Sequence, residues 1–242
     1  ESGLSKPQTI IELQDAGYNG FLIGENFMQH GRPERAAAEF IKDVVLSTSG
    51  LMNNEIGGPS IKPYQPKGIW ESSTSGRGQL ARYIQDHDEK LYRRGMYTFI
   101  KRTAPPPSML TFDASNRDQC EVKRTKTNTP LQALVMMNDP SVLEASRVLS
   151  QKLMLDQSAV TEKITKAFRL IVCRKPSAKE LSILENYYNE QLQLFQQKKS
   201  DATIILKAGE YPQNDQVDKN KSAALMKAIN IIFNMEETIT KT

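Results

Sequence analysis

Two adjoining stretches decide the fold, and they read RTAPPPSMLTFDA at residues 102–114 and TNTPLQAL at residues 127–134. Three consecutive prolines fix φ near about −65° and remove three backbone N–H donors, so the first stretch is predicted to be an extended, rigid strut. In the second stretch, Thr129 followed by Pro130 is typical of a helix N-cap with proline at the first helical position. The strut is therefore expected to lie between a basic helix at Glu89–Lys101 and a helix that begins at Pro130.

Downstream of this strut, the 3–4 spacing of apolar residues and the cap residues at the helix starts predict four more helices. They run from Pro140 to about Leu155, from Val160 to Ile171, from Ser177 to about Gln196, and from Leu225 to Met235. Upstream, residues 49–71 are rich in glycine and proline, which predicts turns and extended segments. Trp70 is expected to anchor this irregular stretch to the core.

Residues 1–45 follow a different pattern. A helix is predicted at Pro7–Ala16 and another from about Pro33 to Leu46. Between them, the apolar run Phe21–Ile23 is bounded by glycines and suits a strand buried on both faces. The predicted fold class is thus mainly α: an irregular helical domain at 46–242 with a proline-braced segment, preceded by a small α/β remnant at 1–45 with one strand and two helices.

The composition excludes several functional classes. The net charge of +4 is mild for a nucleic-acid-binding protein, and no window is long and apolar enough to span a membrane. The two cysteines, Cys120 and Cys173, are far apart and are expected to be buried free thiols, with a single disulfide as the alternative, and only two histidines are present. No metal site, cofactor or catalytic residue is therefore predicted. Because the chain begins with Glu1, we expect its start to be internal to a longer product or to result from trimming.

The first 43 or so residues resemble the end of indole-3-glycerol phosphate synthase, a (β/α)8-barrel enzyme of tryptophan synthesis, at Glu1–Leu4 and Gly20–Met28. In that family glycines let backbone N–H groups approach the substrate phosphate. The resemblance implies a phosphate-binding remnant at Ser2, Gly3, Gly24 and Glu25. The family's catalytic lysines and general acid lie on earlier strands, so such a fragment is expected to be inactive alone.

Residues from about 44 to 242 are similar to the C-terminal part of the family of unknown function DUF1553, which is common in planctomycetes and Bacteroidetes. The similarity lies in the proline run and in Gly57–Ser60, Tyr92–Arg94, Asn138–Pro140 and Phe233–Glu237. It implies an exported protein of the periplasm or cell envelope, whose longer chain carries a second uncharacterised domain or a cytochrome-c-like domain. The parent of residues 1–45 would be cytoplasmic, so the two likenesses together imply a fusion or chimera.

Three groups of side chains are candidate sites. A polar cluster around the strut either satisfies its carbonyl groups or binds an anion, because arginine forks suit carboxylate, sulfate and phosphate. Asp86–Glu89 could offer metal ligands, although helix N-terminal charges are the preferred interpretation, and Cys120 could be a nucleophile. The polar cluster consists of Arg93, Arg94, Arg102, Asp113, Arg117, Arg124 and Asn128.

Three functional hypotheses follow from these patterns. The preferred one is a structural or interaction module of an exported multidomain protein, which binds a partner domain or a saccharide without catalysing a reaction. The second is a hydrolase-like or anion-binding site at the arginine-rich strut. The third is an inactive fragment of indole-3-glycerol phosphate synthase.

Overall fold

The computed structural model describes residues 33–72, 81–101, 104–113 and 129–239. Within these ranges the chain is mainly α, with ten α-helices, two 3₁₀ turns and isolated β-bridges in place of a sheet. The mainly helical fold class is therefore confirmed. The predicted helix at Pro7–Ala16 and strand at Phe21–Ile23 lie outside the described residues. None of the helices described has the length and apolar character needed to cross a bilayer.

The helices are numbered in chain order. They are α1 Pro33–Ser49, α2 Ile69–Ser72, α3 Pro107–Thr111, α4 Pro130–Asn138, α5 Pro140–Met154, α6 Val160–Val172, α7 Ala178–Gln196, α8 Ala202–Ile205, α9 Lys219–Phe233 and α10 Glu236–Ile239, with 3₁₀ turns at Asp88–Tyr92 and Gly95–Tyr97. The helix predicted from about Pro33 to Leu46 thus continues to Ser49, across the predicted domain boundary at 45/46.

Side-chain caps define the starts of several of the long helices. Thr129 Oγ1 accepts a hydrogen bond from the Gln132 amide at 3.4 Å, and Gln132 Oε1 accepts one from the Thr129 amide at 3.2 Å. A second such capping box at Ser177 begins α7, as its sequence predicts. Asp139 Oδ1 accepts from the Ser141 amide at 2.8 Å and begins α5. These caps satisfy amide groups that have no partner inside their helix.

Helix α9 lies at the centre of the core. It contacts α4, α5, α6, α7, α8 and α10, and ten of its fifteen residues are buried. Phe168 of α6 and Phe233 of α9 are fully buried in this core. Helix α1 packs against the outer side of α5 and also contacts α3, α6 and the turn Gly95–Tyr97.

The proline segment is shorter than predicted. Pro106 is extended, with φ −57° and ψ 128°, but Pro107 begins α3 instead of continuing the strut. A proline is tolerated there because the first amide of a helix has no intrahelical acceptor. Met109 and Phe112 are buried, and α3 contacts both α1 and α4. The segment therefore packs against the helices as a brace, although only its first part is extended.

The prediction of a helix at Glu89–Lys101 is wrong. The structure has the two 3₁₀ turns there, followed by an extended strand-like pairing in which Ile61 accepts from Phe99 N at 2.7 Å and donates to Tyr97 O at 2.8 Å. Gly95 lies directly against α1, where a Cβ atom would be 2.7 Å from the Glu39 backbone. These long-range contacts of the backbone override the helical spacing of the apolar residues.

Trp70 is buried, with only 1% of its surface exposed, but it anchors its irregular stretch within a cluster of its own and not in the main core as predicted. Its ring packs against Tyr83 and Phe99 at centroid distances of 5.2 and 6.0 Å. The Lys101 ammonium lies 4.5 Å from the ring centroid. This aromatic cluster is separate from the main hydrophobic core formed by the helices.

Candidate functional site

A polar groove runs across one side of the described structure. It consists of two adjoining depressions of about 580 and 650 Å³, which share Asn53, Asp88 and Glu89 in their walls. Three segments form it: residues 50–55 after α1, residues 85–90 around the first 3₁₀ turn, and residues 210–212 after α8. We refer to it below as the acidic groove.

Carboxylates dominate the charge of the acidic groove. Only Lys90 and His87 carry basic groups among its lining residues. His87 Nδ1 lies 2.9 Å from Glu210 Oε1, and Gln85 Nε2 donates to the same oxygen at 2.9 Å. The acidic side chains are Glu55, Asp86, Asp88, Glu89 and Glu210. A concave surface with charges of one sign focuses the electrostatic potential, so this groove attracts cations within a chain whose net charge is +4.

A buried carboxylate positions the two tyrosines of the groove. Glu144, on α5, accepts hydrogen bonds at Oε1 from Tyr92 OH at 2.9 Å and from the Tyr211 amide at 2.6 Å. Its Oε2 accepts from Tyr64 OH at 3.1 Å, and Tyr64 OH in turn accepts from the Glu210 amide at 3.0 Å. The Tyr92 and Tyr211 rings meet edge to face, with centroids 5.9 Å apart. The groove wall is therefore built on a carboxylate that is 1% exposed.

Arg147 also binds the loop that carries Tyr211, residues 208–211. Its Nε donates to Ala208 O at 2.9 Å and its Nη2 donates to Tyr211 O at 2.6 Å. Nη2 also lies 3.8 Å from Glu144 Oε1, and both side chains are 1% exposed. Burial lowers the pKa of Arg147, and this effect is opposed by the charge of Glu144. The pair therefore pins both the amide and the carbonyl of Tyr211 to α5.

The network also affects the tyrosine hydroxyls. Burial, followed by the charge of Glu144 and the hydrogen bond to it, raises the pKa of both Tyr64 and Tyr92. Both phenols therefore remain protonated donors over the physiological range of pH.

Gly209 allows the loop to approach this network closely. Its φ is +77°, and a Cβ atom placed there would lie 2.0 Å from the carboxylate carbon of Glu144. Both the positive φ and the lack of space require glycine.

Arg93 and Arg94 are the two arginines of the predicted polar cluster that lie within the described residues. Their side chains bind other groups than the proline segment. The Arg93 guanidinium donates to the carbonyl groups of Glu55, Gly57 and Pro59, and it stacks 3.8 Å from the Tyr97 ring centroid. Arg94 Nε donates to Asp43 Oδ2 at 3.1 Å. Arg93 is 3% exposed, so its charge serves to order residues 55–59.

The other predicted site residues have different outcomes. Asp113 follows α3 with φ +60° and is partly buried. Cys173 is exposed at the C-terminal end of α6, so the prediction that it is buried is wrong; its left-handed backbone, with φ +63°, ends the helix at the surface. The positions outside the described residues are Ser2, Gly3, Gly24, Glu25, Arg102, Arg117, Cys120, Arg124 and Asn128.

The segment Asp86–Glu89 contributes to the groove instead of beginning a regular helix. Asp86 Oδ2 accepts from the Lys62 amide at 2.7 Å, and Asp88 has a left-handed backbone with φ +57°. In the part of the chain that the structure describes, no three His, Cys, Asp or Glu side chains form a group that could hold a metal ion.

Glu144 and Arg147 are functional residues that the sequence did not predict. Charged residues three apart on a helix are usually solvated, and the pattern around them does not distinguish that case from burial. A weak signal lies in the run Ala145 to Ser150, in which small and apolar residues surround the pair on all faces of the helix. Every residue from Glu144 to Gln151 is buried.

Comparison with known proteins gives short matches and one long one. The chain is 43% identical over 44 residues to indole-3-glycerol phosphate synthase of Bacteroides thetaiotaomicron. This match covers 18% of the chain and 17% of that enzyme. Over 38 residues it is 47% identical to the same enzyme of Laribacter hongkongensis, covering 16% of this chain and 14% of that enzyme. The chain thus spans only a small part of the curated relatives it matches, and no solved structure matches it.

The long match covers more than half of the chain. The family described as "Protein of unknown function (DUF1553)" matches residues 23–188, which include the proline segment and helices α1 to α6. The match crosses the predicted boundary at 45/46 and also includes part of the region that resembles the barrel enzyme. On this match, the chain belongs to the DUF1553 family of proteins of unknown function.

Proposed function

We propose that this chain is a non-catalytic binding module of a longer, exported protein and that the acidic groove is its contact surface. One observation carries the proposal: three separate segments form a concave surface rich in carboxylates, and the buried Glu144–Arg147 pair holds the Tyr211 wall in place. Because these buried contacts already hold the Tyr211 wall in one position, binding loses little conformational entropy there, which favours affinity.

The charge of the groove favours a partner domain that presents basic side chains. Opposite charges steer association and fix the register of an interface, and they do so less at high salt because the Debye length is only about 8 Å at physiological ionic strength. The family resemblance suggests where such a partner would come from. It would be a second uncharacterised domain, or a cytochrome-c-like domain, of the same longer chain.

A saccharide is the second candidate ligand. Tyr211 is 38% exposed beside the groove, and the side-chain amides of Asn53 and Asn54 offer both donors and acceptors to hydroxyl groups. Binding of this kind would depend little on salt, because the ligand is uncharged.

Calorimetric titration with two probes tests the proposal: octalysine, as a minimal basic partner, and xylohexaose, as a neutral saccharide. We expect octalysine to bind and to lose at least tenfold in affinity when NaCl is raised to about 0.5 M. Asp88→Asn with Glu89→Gln should weaken octalysine binding about fivefold or more, because it removes two charges from both depressions. Asparagine tolerates the left-handed backbone of Asp88.

The matched control is Glu162→Gln with Glu190→Gln, which removes the same charge from exposed positions on α6 and α7. If the groove and control variants bind octalysine equally, the charge acts non-specifically and the proposed contact surface is wrong. Xylohexaose binding that persists at high salt and is lost in Tyr211→Ala would instead support the saccharide. If neither probe binds, the acidic groove is not a binding surface for either class.

A further inference from the structure

A second concavity lies away from the acidic groove, where α1, α3, α4 and the start of α5 meet. It has a volume of about 70 Å³, enough for a few non-hydrogen atoms. Most of its lining is apolar and includes Val45, Met109, Phe112 and Val135. Lys42 lies in this lining together with polar groups from other elements, which are Tyr64, Thr98, Ser108, Asp139 and Ser141.

The amine of Lys42 has few partners. Among the described residues its one hydrogen bond is to Thr98 Oγ1, at 3.5 Å, and no carboxylate oxygen lies within 4.0 Å. The Lys42 side chain is partly buried, and an ammonium group has three donors, so withdrawing it from water without an ion pair is costly. The neighbouring carboxylates are used elsewhere: Asp43 accepts from Arg94 Nε and Gly95 N, and Asp139 caps α5.

Burial lowers the pKa of Lys42 to about 8, against the opposing charges of Asp43, Asp139 and Glu39. Tyr64, across the cavity, has a raised pKa and contributes no charge near neutral pH. The amine therefore has a far larger neutral fraction near pH 7 than an ordinary lysine, and only the neutral amine is a nucleophile.

We propose that this cavity is a binding site for a small carbonyl compound with a short apolar body, which Lys42 captures as an imine. The lone pair of the Lys42 Nζ attacks the carbonyl carbon and gives a carbinolamine, with one proton passing from nitrogen to oxygen. The second nitrogen proton then leaves with the hydroxyl group as water, and the C=N bond forms. No oxidant or reductant is needed, and hydrolysis reverses the reaction.

The lining fits the two ends of such a ligand. The apolar side chains of Val45, Met109 and Val135 would contact its body, and Thr98 and Ser108, which also line the cavity, carry hydroxyl groups that could bind its oxygen. The carboxyl group of Asp139 lines the same cavity and can carry protons, since burial raises its pKa.

Reductive trapping with butanal tests the proposal on the unmodified protein. Sodium cyanoborohydride converts each imine to a stable secondary amine, and peptide mass spectrometry measures the butylation of every lysine. Near pH 7, an amine with a pKa of about 8 has on the order of 100-fold more neutral form than a lysine with the ordinary pKa of about 10.5. We therefore expect Lys42 to be butylated at least tenfold faster than the exposed Lys175 and Lys179.

Two further measurements separate the cavity from the amine. The initial rate at Lys42 should level off above about pH 8, while the rates at Lys175 and Lys179 should keep rising. Val135→Phe fills the cavity without touching the amine, so it should slow butylation of Lys42 by at least fivefold and leave the exposed lysines unchanged. Butylation of Lys42 that is no faster than that of Lys179, or that is unaffected by Val135→Phe, would overturn the proposal.

Discussion

The buried Glu144 carboxylate should contribute several kcal/mol to the stability of this chain. We consider Glu144→Gln, which keeps the shape of the side chain and removes its charge. The glutamine oxygen can still accept from Tyr92 OH and the Tyr211 amide, but as a neutral acceptor, which costs about 1 kcal/mol at each bond. The new amide nitrogen faces Tyr64 OH, whose hydrogen loses its acceptor at a cost of about 1–3 kcal/mol.

The same substitution leaves Arg147 as a buried cation without its carboxylate neighbour. Breaking a buried ion pair by removing one member typically costs about 3–5 kcal/mol. The hydrogen-bond costs and the ion-pair cost partly describe the same contacts of Glu144. We therefore expect a total loss of about 3–5 kcal/mol in the free energy of unfolding. For a chain of 242 residues this corresponds to a fall in Tm of roughly 6–20 °C.

Urea unfolding measures this loss, with far-UV circular dichroism for the helices and Trp70 fluorescence for the aromatic cluster. Glu190→Gln, at an exposed position on α7, is the control and should change stability by no more than about 0.5 kcal/mol. A double-mutant cycle with Arg147→Met should give a coupling of about 1 kcal/mol or more. If Glu144→Gln lies within about 1 kcal/mol of the unmodified chain, the network does not hold the loop as described.

Three further substitutions or conditions test separate parts of the structure. Gly68→Ala should lower the free energy of unfolding by about 1–2 kcal/mol, from left-handed backbone strain alone, because its Cβ would meet nothing within 4 Å. Gly209→Ala should lower it by clearly more, and urea midpoints compare the two variants. Thr129→Ala should cost about 1 kcal/mol through loss of the capping box, and Thr129→Ser should restore most of it in thermal melts. The free energy of unfolding should fall as pH rises above about 10, because the unfolded state then releases tyrosine protons that the native state keeps. The fall should be up to about 1.4 kcal/mol per pH unit for each of Tyr64 and Tyr92. In urea titrations, Tyr92→Phe should reduce this slope.

The sequence predicted those helices whose signals are local. Thr129, Asp139 and Ser177 each accept an amide hydrogen bond from a residue two or three positions ahead, so their function depends on the next turn alone. The 3–4 spacing of Ile164, Phe168 and Ile171 likewise specifies one buried face. Such elements can be predicted because no distant part of the chain has to be known.

The prediction failed where the structure depends on distant contacts. The apolar residues between Glu89 and Lys101 have helical spacing, yet Gly95 touches the Glu39 backbone and Ile61 pairs with the chain at Tyr97 and Phe99. Neither contact leaves a signal within one window of sequence. The acidic groove is a stronger case, since its three segments lie between residues 50 and 212 and meet through contacts such as Gln85 Nε2 to Glu210 Oε1 and the Tyr211 amide to Glu144.

Helix α5 is the common frame of the two proposed sites. Its N-cap Asp139 and its residues Ser141 and Val142 line the Lys42 cavity, and its second turn carries Glu144, which holds the groove. Near its C-terminal end, Lys152 Nζ donates to Ser49 O at 2.8 Å, where α1 ends and the first groove segment begins. Coupling between two sites requires an element with two arrangements, and the middle of α5, from Glu144 to Gln151, is buried and packed in a single arrangement. We therefore expect the sites to be energetically independent, so that saturating Lys42 with butanal and cyanoborohydride leaves octalysine affinity unchanged within about twofold.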